Sequence, residues 1–145
     1  MNEIQRFIVF GTFCGISPGD KRECIAETLG EASHYEPPYK RRPEYILYGD
    51  LEFRLSQNEI MHIGLATGRD IVTTQSVEQR IGKSYLSTVS DVQALLALHS
   101  VEYEYDSILS DSSQTVLVTS RAVHLAFDQD NSLTRVAGVK TRVVN

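Results

Sequence analysis

The chain predicts an α+β fold of two similar units in tandem, each with one or more helices followed by an antiparallel sheet of three or four strands, helices packed on one sheet face. Three observations lead there. Leu51, Phe53 and Leu55 alternate with Asp50, Glu52 and Arg54, the period-two pattern of a half-buried strand. Val123, Leu125 and Phe127 repeat that pattern, and a segment of helical periodicity precedes each passage. The order helix, strand, strand, hairpin and strand recurs at an almost constant spacing.

The elements follow in order. Ile4, Phe7, Ile8 and Phe10 have a loose helical spacing closed by Gly11, so residues 2–10 predict a helix, although Phe7-Ile8-Val9-Phe10 would also suit a strand. Ser17-Pro18-Gly19-Asp20 reads as a helix start, with the hydroxyl as N-cap and proline in the first turn. That helix runs through Cys24, Ile25, Thr28 and Leu29 to Gly30. Residues 31–43, with Pro37-Pro38 and Lys40-Arg41-Arg42, read as a solvated loop. Strands are expected at Tyr45–Tyr48, Leu51–Leu55 and Ile60–Leu65, with a hairpin turn at Ser56–Glu59. Ile71-Val72 is a candidate extension of the sheet in an otherwise connecting stretch from 67 to 85. A helix starting at Ser87-Thr88-Val89 sets Val92, Leu95, Leu96 and His99 on one face. Strands follow at Val101–Leu109, Val116–Thr119, Val123–Phe127 and Leu133–Val139, with turns at Ser110–Ser113 and Asp128–Ser132.

Leu51, Phe53 and Leu55 stand 72 residues before Val123, Leu125 and Phe127, and Ile60 and Ile63 stand 73 before Leu133 and Val136. Cys24 and Ile25 stand 71 before Leu95 and Leu96. The reading is one compact domain, 1–145, of two pseudo-repeats at about 1–75 and 86–145, because neither half is long enough to bury a core alone.

Composition narrows the class of function. With 145 residues, 41% hydrophobic and 23% charged, the chain has ordinary globular usage. A formal charge of −5 argues against general nucleic-acid binding by phosphate neutralisation. No run approaches a membrane span, and the start Met1-Asn2-Glu3-Ile4-Gln5-Arg6 lacks a signal peptide's basic region, so a cytoplasmic protein is expected. Cys14 and Cys24 have no metal-finger spacing and are read as free thiols.

Gly15-Ile16-Ser17-Pro18-Gly19 spells G-x-S-x-G, but the residue after the serine of a hydrolase elbow must donate a backbone N–H to the oxyanion hole, and Pro18 has none. Asp128-Gln129-Asp130-Asn131-Ser132 imitates a calcium loop, yet Leu133 stands where glycine is needed and Val139 where glutamate is needed, so it reads as a turn. His34, His62, His99 and His124 have no metal-motif spacing. Equivalent strand positions for Glu52 and His124, with His62 nearby, make an acid–base or metal constellation imaginable, but exposed or hydrogen-bonded sheet residues are the favoured reading of all three. No catalytic residue, metal or cofactor is assigned.

Gly15-Ile16-Ser17-Pro18-Gly19-Asp20, then Leu29-Gly30-Glu31-Ala32, then Ile46-Leu47-Tyr48-Gly49-Asp50-Leu51-Glu52-Phe53, resemble a family of uncharacterised small bacterial proteins. In that family a GI-x-x-G helix entry and an LG-x-P exit precede an ILKYGDLEF-like strand pair. Val123-His124-Leu125-Ala126-Phe127-Asp128 is similar to its second strand, whereas Arg121-Ala122 and Ala32 depart from the usual glycine and proline. The resemblance implies no reaction. The repeat unit also looks like that of the β-lactamase inhibitory protein and the small outer-membrane assembly lipoprotein, which implies a binding module with helices on one sheet face.

The expected function is therefore a non-catalytic protein-binding module, an immunity or inhibitor protein that occludes a basic toxin domain. Alternation on a strand puts Glu102, Glu104 and Asp106 on one face, with Asp111 nearby, and Tyr103 and Tyr105 on the other. Tyr45 and Tyr48 with Asp50 and Glu52 form a second aromatic–acidic strip. A small-ligand-binding or enzymatic domain with a sheet-face pocket, and a structural or assembly subunit, are the alternatives.

Overall fold

A computed structural model describes residues 1–68, 70–81 and 88–141. It is an α+β fold in which eight antiparallel strands form a continuous sheet. Helices α1 (Glu3–Phe10) and α2 (Glu23–Leu29) come first, followed by strands β1 (His34–Glu36), β2 (Glu44–Tyr48), β3 (Leu51–Ser56) and β4 (Glu59–Ala66). Helices α3 (Gln75–Ile81) and α4 (Val89–Leu98) precede β5 (Tyr103–Tyr105), β6 (Thr115–Thr119), β7 (Val123–Phe127) and β8 (Leu133–Val139). The order across the sheet is β1-β2-β3-β4-β8-β7-β6-β5, so two meanders meet where β4 pairs with β8.

Alternation in β3 and β7 sets the two faces. Leu51, Phe53, Leu55, Val123, Leu125 and Phe127 are buried in one core cluster with Ile4, Phe7, Ile8 and Val9 of α1. Glu52, Arg54, His124 and Ala126 point the other way and stay partly exposed. Val116 and Ala137 are buried without joining that cluster, because they lie on the far face. Helix α1 is central to the covered side, against α3, α4, β7 and β8. Asn2 caps it, accepting from Gln5 N while the Gln5 side chain accepts from Asn2 N, and Gly11 at φ +74° ends it.

Helix α2 starts later than the sequence suggests. Ser17–Asp20 forms a turn in which Asp20 Oδ2 accepts from Ser17 N, and the helix begins at Glu23. Gly19 has φ +100° and donates to Ile60 O, so the backbone is tied to β4 and cannot enter a helix there. Arg22 Nη1 then donates to Glu44 Oε2 at 2.8 Å, and Tyr35 Oη donates to the same carboxylate. Burial pushes the Glu44 carboxyl up, but Tyr35 and Arg22 outweigh it and leave it below the ordinary value. This trio fixes α2 and edge strand β1 onto β2.

Four further expectations change. His34–Glu36, inside the expected loop, is an edge strand whose order comes from pairing with β2. Ile71-Val72 adds no strand; Val72 instead braces the β2–β3 turn, accepting from Asp50 N at 2.7 Å and donating to Asp50 Oδ2 at 2.8 Å. Helix α3 stands where a connector was expected, with Val77 and Ile81 buried four residues apart. The strand expected over Val101–Leu109 is confined to Tyr103–Tyr105, since Asp106 Oδ1 accepts from Ile108 N and Leu109 N and curls the chain away. Ser87, expected at the start of α4, lies outside the described residues; Thr88 supplies the cap, its Oγ1 accepting from Asp91 N. Among the described residues, no helix is long and apolar enough to cross a membrane.

Gly49 turns β2 into β3 at φ +63°, and an added Cβ would lie 2.9 Å from Thr73 Cα. Gly49→Ala is therefore expected to lower stability by about 2 kcal/mol, from left-handed strain plus displacement of the 72–73 brace. Urea denaturation that leaves the midpoint in place would show the brace to be dispensable.

Candidate functional site

The sheet face that none of the described helices covers, the helix-free face, can be read as rows of paired residues. The central row is His34, Leu47, Glu52, Gly64, Ala137, His124, Val118 and Glu104, each beside the next on the neighbouring strand. Flanking it, Tyr45, Arg54, His62 and Val139 form one row, and Ala66, Arg135, Ala126 and Val116 form another.

At the centre, Arg135 of β8 reaches across β4 to the Glu52 carboxylate of β3, where its Nη2 donates to Glu52 Oε1. Gly64 makes this reach possible: a Cβ there would lie 2.9 Å from His62 Cε1 and would run into the Arg135 guanidinium. An ion pair thus joins the two meanders over a gap in the side-chain layer. His62 Nδ1 is buried 3.9 Å from Glu52 Oε1 and has no hydrogen-bond partner among the described residues. Burial first, then the Arg135 guanidinium, lowers the His62 pKa from 6.5 to about 4, against the pull of Glu52. The imidazole is therefore neutral at physiological pH.

A cavity of about 310 Å³ lies beside this cluster, between β6–β8 and the 106–114 loop. His62, His124, Arg135 and Gln114 are the polar residues of its lining, and Leu109 of the loop closes over the strand residues. The structure thus brings His62 and Glu52 together and places His124 at the same cavity as His62. Among the described residues, no group of three His, Cys, Asp or Glu side chains is placed to hold a metal ion.

The residues expected to bind a partner divide into two sets. Glu102 and Glu104 are exposed and form no ion pair among the described residues, and by alternation both belong to the helix-free face. Tyr45 is half-buried on that face, and Glu52 is held by Arg135. Tyr48 is not a surface anchor: it is 1% exposed, its ring meets Phe53 edge-on, and its Oη donates to Gly30 O at 2.7 Å. Asp50 is taken up by the Val72 brace. Asp106 and Asp111 shape the loop, Asp111 Oδ1 accepting from Ser113 Oγ, Ser113 N and Gln114 N; these bonds, the hydroxyl first, hold its carboxyl below the ordinary value.

Other expected sites resolve into structural roles. Ser17 sits in the turn described above, and Asp128 Oδ1 accepts from Asp130 N and Ser132 N as a hairpin turn does. Cys14 and Cys24 are free thiols; burial, aided by the Glu3 carboxylate, pushes Cys14 up to about 11. Sequence reasoning missed Arg135 and Gly64. The signal was Gly64 inside the apolar run Ile60–Leu65, where an isolated glycine marks close approach of another group.

Comparison of the chain with protein-family models, with curated proteins and with solved structures finds no match.

The depressed His62 pKa makes stability pH-dependent. The unfolded imidazole takes its proton near 6.5 and the folded one only near 4, so the unfolded state binds more protons between those values. Acidification through that window should lower the melting temperature, and His62→Gln should remove that component of the slope. Calorimetry from pH 7 down to about 4 checks this; the same slope in both proteins would count against a neutral buried His62.

Proposed function

We propose that the protein is a non-catalytic binding module, an inhibitor or immunity-type protein that docks the β5 end of its helix-free sheet face on a basic protein partner and occludes it. The observation that carries this reading is the pair Glu102 and Glu104, exposed side by side without an ion pair among the described residues. Like charges so placed repel, and a cationic surface relieves that repulsion on contact. Ile108, 91% exposed in the loop that follows β5, offers an apolar contact beside this strand. A basic toxin domain is the partner that fits this chemistry and the likeness of the repeat unit to an inhibitory binding module, and charge complementarity would speed encounter with it.

The same reading treats the chain as two copies of one unit. Support comes from the register. Glu52 pairs with Gly64 and His124 with Ala137, and a bulge interrupts β3 between Arg54 and Leu55 just as one interrupts β7 between Ala126 and Phe127. Positive φ recurs at Asn58 and Asn131, and at Gly30 and Ser100. With these equivalences, the β4–β8 pairing becomes self-complementary about Gly64 and Ala137.

The test uses Glu102→Lys with Glu104→Lys, and leaves Asp106 and Asp111 alone because they hold the loop. A partner captured by the wild-type protein and released by salt is purified and its affinity measured for both proteins. The double variant is expected to keep its melting temperature and bind at least about 10-fold more weakly, with a shallower salt dependence. Unchanged affinity would remove this face from the interface.

A further inference from the structure

We propose that the cavity between the helix-free face of β6–β8 and the 106–114 loop is a binding site for a small carboxylate bearing a short apolar tail. Its volume, about 310 Å³, is at the small end of the range for ligand sites.

The cavity exists because the two halves of the face are filled differently. On β2, β3 and β4 the row reads Tyr45, Arg54, His62; on β6, β7 and β8 it reads Val116, Ala126, Arg135. Where one half carries a tyrosine and an arginine, the other carries a valine and an alanine, and the space is roofed by Leu109 instead. That roof is built in advance: Asp106 Oδ1 accepts from Leu109 N, Gln114 Nε2 donates to Leu109 O, and Ser110 Oγ accepts from Val116 N. A preformed roof spares a ligand the entropy of ordering it.

The chemistry of the walls selects the ligand. Among the described residues no carboxylate lines the cavity, and the nearby Glu52 carboxylate is held by Arg135. Arg135 donates to Glu52 through Nη2, and a planar guanidinium has further N–H groups for a second carboxylate. The permanently charged groups around His62 are Arg135 and Arg54 against Glu52, a balance that favours an incoming anion. Val116, Ala126, Ala137 and Val139 offer an apolar floor that inorganic phosphate would leave uncovered. A carboxylate on Arg135 with its tail on that floor satisfies both parts. The site does not depend on the partner reading above, and its test needs only the purified chain.

Benzoate is the probe, with benzamide as the neutral equivalent of the same shape and inorganic phosphate as the tailless anion. Ring resonances of His62 and His124 are followed by NMR during titration. Benzoate is expected to shift both saturably with a Kd of about 1 mM or tighter, and benzamide and phosphate to bind at least about 10-fold more weakly. Bound carboxylate should also raise the pH at which His62 titrates from its value of about 4. Ala126→Leu fills the space from a partly exposed position and should abolish binding in a folded protein, while Arg135→Gln should erase the preference for benzoate over benzamide. The proposal is overturned by a wild-type chain that shows no saturable shift, by equal binding of benzoate and benzamide, or by an Ala126→Leu protein that binds like wild type.

Discussion

Pairing of β4 with β8, from His62 opposite Val139 to Ala66 opposite Arg135, makes one sheet from two meanders, and almost everything else follows from it. It buries two strands that would otherwise be sheet edges with unpaired N–H and C=O groups. It also aligns Leu51, Phe53 and Leu55 with Val123, Leu125 and Phe127 on one side, so that a single set of helices can cover both halves. The opposite side is then one uninterrupted face, shaped by residues from both halves.

That face is not uniform. Glu52 and Arg135 come from different meanders and meet only because Gly64 leaves room between them. To one side, Tyr45 and Arg54 occupy the surface; to the other, Val116 and Ala126 leave a hollow beneath Leu109. The acidic β5 end lies beyond that hollow. Partner contact and small-molecule contact therefore call on different parts of the same face.

The strands were largely legible in the sequence because alternation is a strong, short-range signal: β3, β7 and β8 have almost the expected bounds. What was missed lacked such a signal. His34–Glu36 is polar throughout and becomes a strand only through its neighbour. Helix α3 buries just Val77 and Ile81, too few for a periodic stripe to stand out. For the candidate site, alternation identified the face of Glu102 and Glu104, but not that Asp106 and Asp111 serve the loop or that Tyr48 belongs to the core. Those roles depend on backbone N–H groups and packing partners brought together by folding. Arg135 was invisible for the same reason, since its partner Glu52 lies in the other meander.

The central pairing also has a kinetic consequence. The contacts within each meander join strands adjacent in the chain, and hairpins of this kind close quickly. Ile63 and Gly138, by contrast, are brought together only after a long stretch of chain between them is constrained. Among the strand pairings, the seam that unites the sheet thus carries the greatest loop-closure cost, which makes it the slow step of sheet assembly.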